Sequence, residues 1–149
     1  MYPEFVNREE ELKFLDNRFS NNNFELILLY GRRRVGKTEL VKKASENKKH
    51  IYHLVVEEEG SKQLESLIES VNDSTDSFKP DIDSWEEFFE YFSSETSNAV
   101  LIIDEFPRLV EEDDSIPSRF QKFVDEWLKD TENKLILTGS SISMMEELM

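Results

Sequence analysis

Four short stretches constrain this chain more than anything else in it. FELILLY at 24–30 is apolar almost end to end and of strand length, the pattern of a strand buried on both faces. HIYHLVV at 50–56 is β-branched and aromatic, AVLIID at 99–104 is another buried run that ends in acid, and KLILTGSS at 134–141 runs into a small polar turn. Segments of helical period lie between them. Buried strands alternating with helices fold as a parallel α/β sheet with right-handed crossovers.

The helical segments are legible from spacing. Residues 7–19 open on Asn7 as N-cap with Glu10 completing a capping box, and Leu12, Leu15 and Phe19 fall on one face. Residues 37–46 turn Leu40, Val41 and Ala44 inward, and Leu64, Leu67, Ile68 and Val71 mark a further helix. Residues 83–95 begin with a capping signal and align Trp85, Phe88, Phe89 and Phe92, and 117–130 is amphipathic with Pro117 or Ser118 near its start. Residues 20–23 read as a turn and the Asp-, Ser- and Pro-rich 72–81 as a loop. No internal repeat is visible, and 149 residues suffice for one domain over 1–149. The final ISMMEELM reads as the start of another helix, so the domain is expected to continue past Met149.

Charge narrows the ligands. Residues 1–56 carry eleven Lys and Arg against eight Asp and Glu, whereas 57–149 carry seven against twenty-five. A face that acidic repels nucleic-acid backbones, so an anion is expected to bind in the first third. The chain has no cysteine, which excludes disulfides and thiolate metal sites and suits a reducing compartment. No apolar run reaches membrane-spanning length and the N-terminus lacks a signal pattern, so a soluble, cytoplasmic protein is expected.

The first strand runs straight into GRRRVGKT, Gly31 to Thr38, which fits G-x-x-x-x-G-K-[ST] between a strand and a helix. Gly31 lets the chain turn off the strand, and Gly36 lets the backbone approach a phosphate with no Cβ in the way. The amides of the loop (Arg32, Arg33, Arg34 and Val35) and of the first helical turn (Lys37, Thr38 and Glu39) are expected to face an anion, aided by the helix dipole. The Lys37 ammonium reaches β- and γ-phosphates, and the Thr38 hydroxyl suits Mg²⁺. The side chains of Arg32, Arg33 and Arg34 mostly point away from phosphates; they could meet an acidic partner, an acidic surface of the same protein or nucleic acid, and a protein-facing role is favoured on charge.

The third strand delivers Asp104 and Glu105 just past five apolar residues, a costly place for two carboxylates unless a cation awaits them. Asp104 is the expected metal ligand, direct or through water, and Glu105 the base that polarises the attacking water. At the tip of the fourth strand Ser140 is the first candidate to hydrogen-bond the γ-phosphate or that water, with Thr138 the runner-up.

With these pieces placed, the chain resembles the archaeal ATPase family of P-loop proteins, in the AAA-like, STAND-type group. The stretches that carry the resemblance are FVNREEELKFL (5–15), LLYGRRRVGKTELVKKA (28–44, with the Walker A pattern), HIYHL (50–54), LIIDEFPRLVEED (101–113, with the Walker B pattern), FQKFVDEWL (120–128) and LILTGSSISMMEEL (135–148). The resemblance implies a three-layer α/β sandwich with strand order 2-3-4-1 and a fifth strand beyond the first. It implies ATP as the nucleotide, with adenine near Phe5, Val6 and Arg8, and it places Phe106 and Arg108 where they couple nucleotide state to neighbours. The fifth strand, a helical lid and the C-terminal regions of relatives have no counterpart in these residues.

Three functions follow as expectations: a Mg²⁺-dependent ATPase, a nucleotide-gated switch or interaction module with little turnover, and a nucleic-acid-associated protein using the arginine triplet. Glu105 favours the first, because a pure switch needs no base, and the acidic charge disfavours the third. A protein partner or self-association is expected.

Overall fold

The computed structural model describes residues 9–30, 36–55, 60–75 and 82–140. Its sheet has four strands: β1 (Glu25–Tyr30), β2 (His50–Leu54), β3 (Val100–Asp104) and β4 (Lys134–Gly139). They lie in the order β1-β4-β3-β2, every pairing parallel, which is the 2-3-4-1 order read from the other edge. The central strands β3 and β4 are buried along their whole length.

Helices cover both faces. On one, α1 (Glu9–Ser20) and α2 (Lys37–Ser45) press Leu15, Phe19, Leu40 and Val41 onto Ile27, Val100, Ile102 and Ile136. On the other, α3 (Gly60–Thr75), α4 (Trp85–Glu95), α5 (Pro107–Glu112) and α6 (Ile116–Phe123) pack on Ile51, Leu101, Ile103, Leu135 and Leu137. The aromatic content is concentrated there: the Phe89 ring centroid lies 5.2 Å from that of Phe88, 5.1 Å from Phe120 and 4.8 Å from Phe123. Offset and edge-on rings at these separations add to simple burial.

The helices follow their sequence signals with three departures. Ser84 caps α4 by accepting from the Glu87 amide at 3.2 Å, as the pattern suggests. Helix α3 continues to Thr75, so 72–75 is helical rather than loop; its Asp and Ser weaken a helix without breaking it, and the first proline comes only at position 80. The expected helix over 117–130 starts at Ile116 and widens over Val124–Leu128 into a π turn, closed by the Lys129 amide donating to the Val124 carbonyl at 2.9 Å. The six-residue α5 was not expected, because it is too short for periodicity to show; Pro107 in its first turn fits the start of a helix. The Asn7 cap and the helix start within 142–149 lie outside the described residues.

At the opposite end of the strands from Asp104 and Gly139, Lys134 is 1% exposed at the start of β4. Its ammonium donates to the Asn21 carbonyl at 3.2 Å, the Asn21 Oδ1 at 3.0 Å, the Glu132 carbonyl at 3.3 Å and the Asn23 carbonyl. Burial holds its pKa below the usual lysine value, with Glu25 and Glu132 opposing the shift. This cation ties the 20–23 turn to the centre of the sheet.

Candidate functional site

All four strands are parallel, so their C-terminal tips converge on one edge, where open α/β sheets bind ligands. Gly36 stands at the start of α2 with φ 82° and ψ 20°, a left-handed conformation in which a Cβ would be costly. Its carbonyl accepts from the Leu40 amide at 2.9 Å, which begins the helix. The next three residues, Lys37, Thr38 and Glu39, line a cleft of about 330 Å³ together with Gly36, Asp104, Glu105, Arg108 and Ser140. Gly31, Arg32, Arg33, Arg34 and Val35, like Phe5, Val6 and Arg8, lie outside the described residues.

Asp104 ends β3 only 3% exposed. Three hydroxyls from three different elements hold its carboxylate: Thr38 Oγ1 donates to Oδ2 at 2.7 Å, the Tyr52 phenol donates to the same oxygen, and Thr138 Oγ1 donates to Oδ1 at 2.5 Å. Burial alone would raise the Asp104 pKa; the bonds from Thr138, Tyr52 and Thr38 outweigh it and hold the carboxyl below the usual aspartate value. Tyr52 shifts upward, through burial first and then through its bond to the Asp104 carboxylate and the negative charge there. The Lys42 ammonium sits over the Tyr52 ring, 4.7 Å from its centroid.

Glu105 follows with φ 62°, a left-handed conformation that costs a residue with a Cβ about 1–2 kcal/mol. The turn is held from several sides. Ser140 Oγ donates to Glu105 Oε1 at 2.8 Å, the Phe106 amide donates to the Thr138 carbonyl at 2.8 Å, and the Phe106 side chain is fully buried in the aromatic cluster. The Arg108 guanidinium reaches back to the Val55 carbonyl at 3.0 Å, and the Val55 amide donates to the Asp104 carbonyl at 2.9 Å.

Among the described candidates, then, Lys37, Thr38, Glu39, Asp104, Glu105 and Ser140 share one cleft. Thr138 is fully buried beneath Asp104 and acts on the carboxylate, while Ser140 lines the cleft and bonds Glu105. Sequence reasoning missed Tyr52. Alternation in HIYHL puts it on the same face as His50 and Leu54, but only the parallel register, Tyr52 beside Ile102, brings its hydroxyl to Asp104.

The donor set fits Mg²⁺. A hydroxyl and a carboxylate oxygen 2.7 Å apart are hard ligands at one spot, and among the described residues no group of three or more His, Cys, Asp or Glu could hold an ion by itself. Mg²⁺ commonly takes one or two protein oxygens and completes its shell with water and phosphate. Thr38 and Asp104 would hold it. Among the described residues no helix is long and apolar enough to cross a membrane.

Comparison with known proteins bears on the family and the fold. Residues 5–149 match the model of a family described as an ATPase domain predominantly from Archaea. An uncharacterized protein of Methanocaldococcus jannaschii is 46% identical over 143 residues, which is 96% of this chain and 31% of that protein. An uncharacterized ATP-binding protein of the same organism is 64% identical over 45 residues, 30% of this chain and 76% of that one. Among solved structures, the chain is similar to a Walker-type ATPase of Pyrococcus abyssi (TM-score 0.70, 21% identity, 95% of this chain and 47% of that chain). It is also similar to Cdc6p of Pyrobaculum aerophilum (TM-score 0.66, 19% identity, 95% of this chain and 43% of that chain). The fold is that of P-loop ATPases, and the chain spans 31% of the first of the two M. jannaschii proteins and less than half of either solved chain.

Proposed function

The chain belongs to the ATPase domain family found predominantly in Archaea, and from that premise we propose that it binds Mg-ATP at the tips of its strands and, in the whole protein, hydrolyses it. The observation that carries this reading is the meeting of Thr38 and Asp104, 66 residues apart in sequence and 2.7 Å apart in space, in a cleft that also holds Lys37 and Glu105. A metal-bound phosphate chain draws on both residues, the hydroxyl and the carboxylate being hard oxygen ligands at one spot.

Each residue has a role in this reading. The loop from Gly31 through Arg32, Arg33, Arg34 and Val35 to Gly36 wraps the phosphates with its amides, and Lys37, Thr38 and Glu39 add the first turn of α2 and its dipole. Held by Thr38 and Asp104, Mg²⁺ would neutralise negative charge on the phosphate chain. Asp104 is kept ionised and oriented by Thr38, Tyr52 and Thr138. Glu105 accepts the proton of the attacking water as the bond to the terminal phosphate is replaced, and Ser140 fixes the carboxylate that does so. Phe5, Val6 and Arg8 take the adenine. A STAND-type role, a protein partner and a cytoplasmic setting complete the proposal.

A second reading, a nucleotide-gated switch with little turnover, draws on the same Ser140–Glu105 bond, which engages the base before any water does. The nucleic-acid reading is disfavoured by a net charge of −15. Calorimetric titration of the chain and of Lys37→Ala with Mg-ATP tests the proposal. Loss of affinity with the fold retained is the expected result, and equal affinities would overturn it.

A further inference from the structure

The cleft contains a second cation whose position the phosphate loop does not explain. Arg108 lines it alongside Lys37, Glu105 and Ser140. Among the described residues its guanidinium forms no ion pair, and its hydrogen bond is to a neutral carbonyl, that of Val55 at 3.0 Å. One such bond uses one of five N–H donors, so the planar fork has donors left for an anion.

Its mounting is rigid. Arg108 is the second residue of α5, its amide donates to the Glu105 carbonyl at 3.1 Å, and Val55 is itself bonded to the Asp104 backbone. The guanidinium is therefore fixed relative to the acid pair. Lys37 enters the cleft from the start of α2 and Arg108 from the start of the helix that follows Glu105. The cleft that holds the Asp104 carboxylate is thus lined by two cations carried on two different helices.

We propose that Arg108 contacts the terminal phosphate of the bound nucleotide from within the same chain, so that the site distinguishes a triphosphate from a diphosphate. This rests on the phosphate-site reading above. Lys37 and the loop grip the phosphates common to both nucleotides, while Arg108 adds charge-assisted bonds that only the longer one receives. The competing assignment is a strap: Arg108 merely ties the end of β2 to α5 through Val55.

The two assignments separate in binding, without any need for turnover. The chain, Arg108→Met, Arg108→Lys and Lys37→Ala are titrated calorimetrically with Mg-ADP and with a slowly hydrolysed Mg-ATP analogue, and their thermal transitions are recorded. Arg108→Met keeps the apolar stem and should lower triphosphate affinity roughly ten- to hundredfold, the range for a charge-assisted bond, while leaving diphosphate affinity within about threefold. Arg108→Lys keeps the charge without the fork, should lose part of the discrimination, and carries the test if the methionine variant does not fold. Equal weakening of both nucleotides with a lowered transition assigns Arg108 to the strap and overturns the proposal, as does no weakening of either. Lys37→Ala should weaken both. If it does and the Arg108 variants show no selectivity, only this inference fails; if Lys37→Ala weakens neither, the phosphate-site reading itself fails.

Discussion

The phenol of Tyr52 donates to Oδ2 of Asp104, the same oxygen that accepts from Thr38. An edge strand thereby reaches across to the acid at the tip of the neighbouring central strand. Removing the hydroxyl in Tyr52→Phe leaves the ring under Lys42 but takes one of three hydroxyl donors from a buried carboxylate. The expected loss of stability is about 1.5–3 kcal/mol, the usual worth of a hydrogen bond to a charged group, read by urea unfolding. The apparent Mg²⁺ requirement for nucleotide binding should rise in the same variant. A pH signature accompanies it. The folded Tyr52 pKa is raised above the unfolded value of 10.0, so its contribution is fully present below that pH and is lost as pH rises beyond it. Unfolding measured from pH 9 upward should fall less steeply for Tyr52→Phe; identical slopes would show that the bond is not made in solution.

Ser140 and Glu105 form the other polar pair of the cleft, at 2.8 Å. Glu105→Gln keeps the size of the side chain and cannot take a proton. In any longer form of the protein that turns ATP over, it should bind ATP at least as well and hydrolyse it at least about a hundredfold more slowly, the lower range for losing a general base. Ser140→Ala should cost less, because it frees the carboxylate without removing it. Single-turnover phosphate release checks both, and unchanged rates in Glu105→Gln would move the base elsewhere.

Strand β1 lies at the edge of the described sheet with Leu26 45% exposed and Tyr30 37% exposed. Unpaired edge strands of this composition recruit other strands. The chain over 1–149 should self-associate in light scattering, and Leu26→Lys should shift it toward monomer without lowering its thermal transition. A monomer at all concentrations tested would remove this expectation.

Lys134→Met tests the buried cation at the opposite end of the sheet. The variant keeps the apolar stem but leaves the carbonyls of Asn21, Asn23 and Glu132 without their donor. A destabilisation of about 1–3 kcal/mol is expected, with nucleotide affinity unchanged because the site lies at the other tips of the strands. Urea unfolding and calorimetry decide, and a loss of affinity at equal stability would contradict this placement.

The sequence by itself determined the strands, most of the helices and the residue types of the cleft. Apolar runs such as VLIID need burial on both faces, and a glycine, lysine and threonine between strand and helix are local signals that need no partner to be read. The helices that escaped it were those whose signals are weak over short spans: α5 with six residues, the last turn of α3, and the π turn after Phe123. Tertiary structure decided what meets what. Parallel register set Tyr52 beside Ile102 and so within reach of Asp104, and the left-handed turn at Glu105 swung Arg108 back into the cleft beside Val55. Both contacts span about fifty residues of chain. Side-chain periodicity records which face a residue takes; it carries no information about which distant residue waits on that face, because that depends on the order and stagger of the strands.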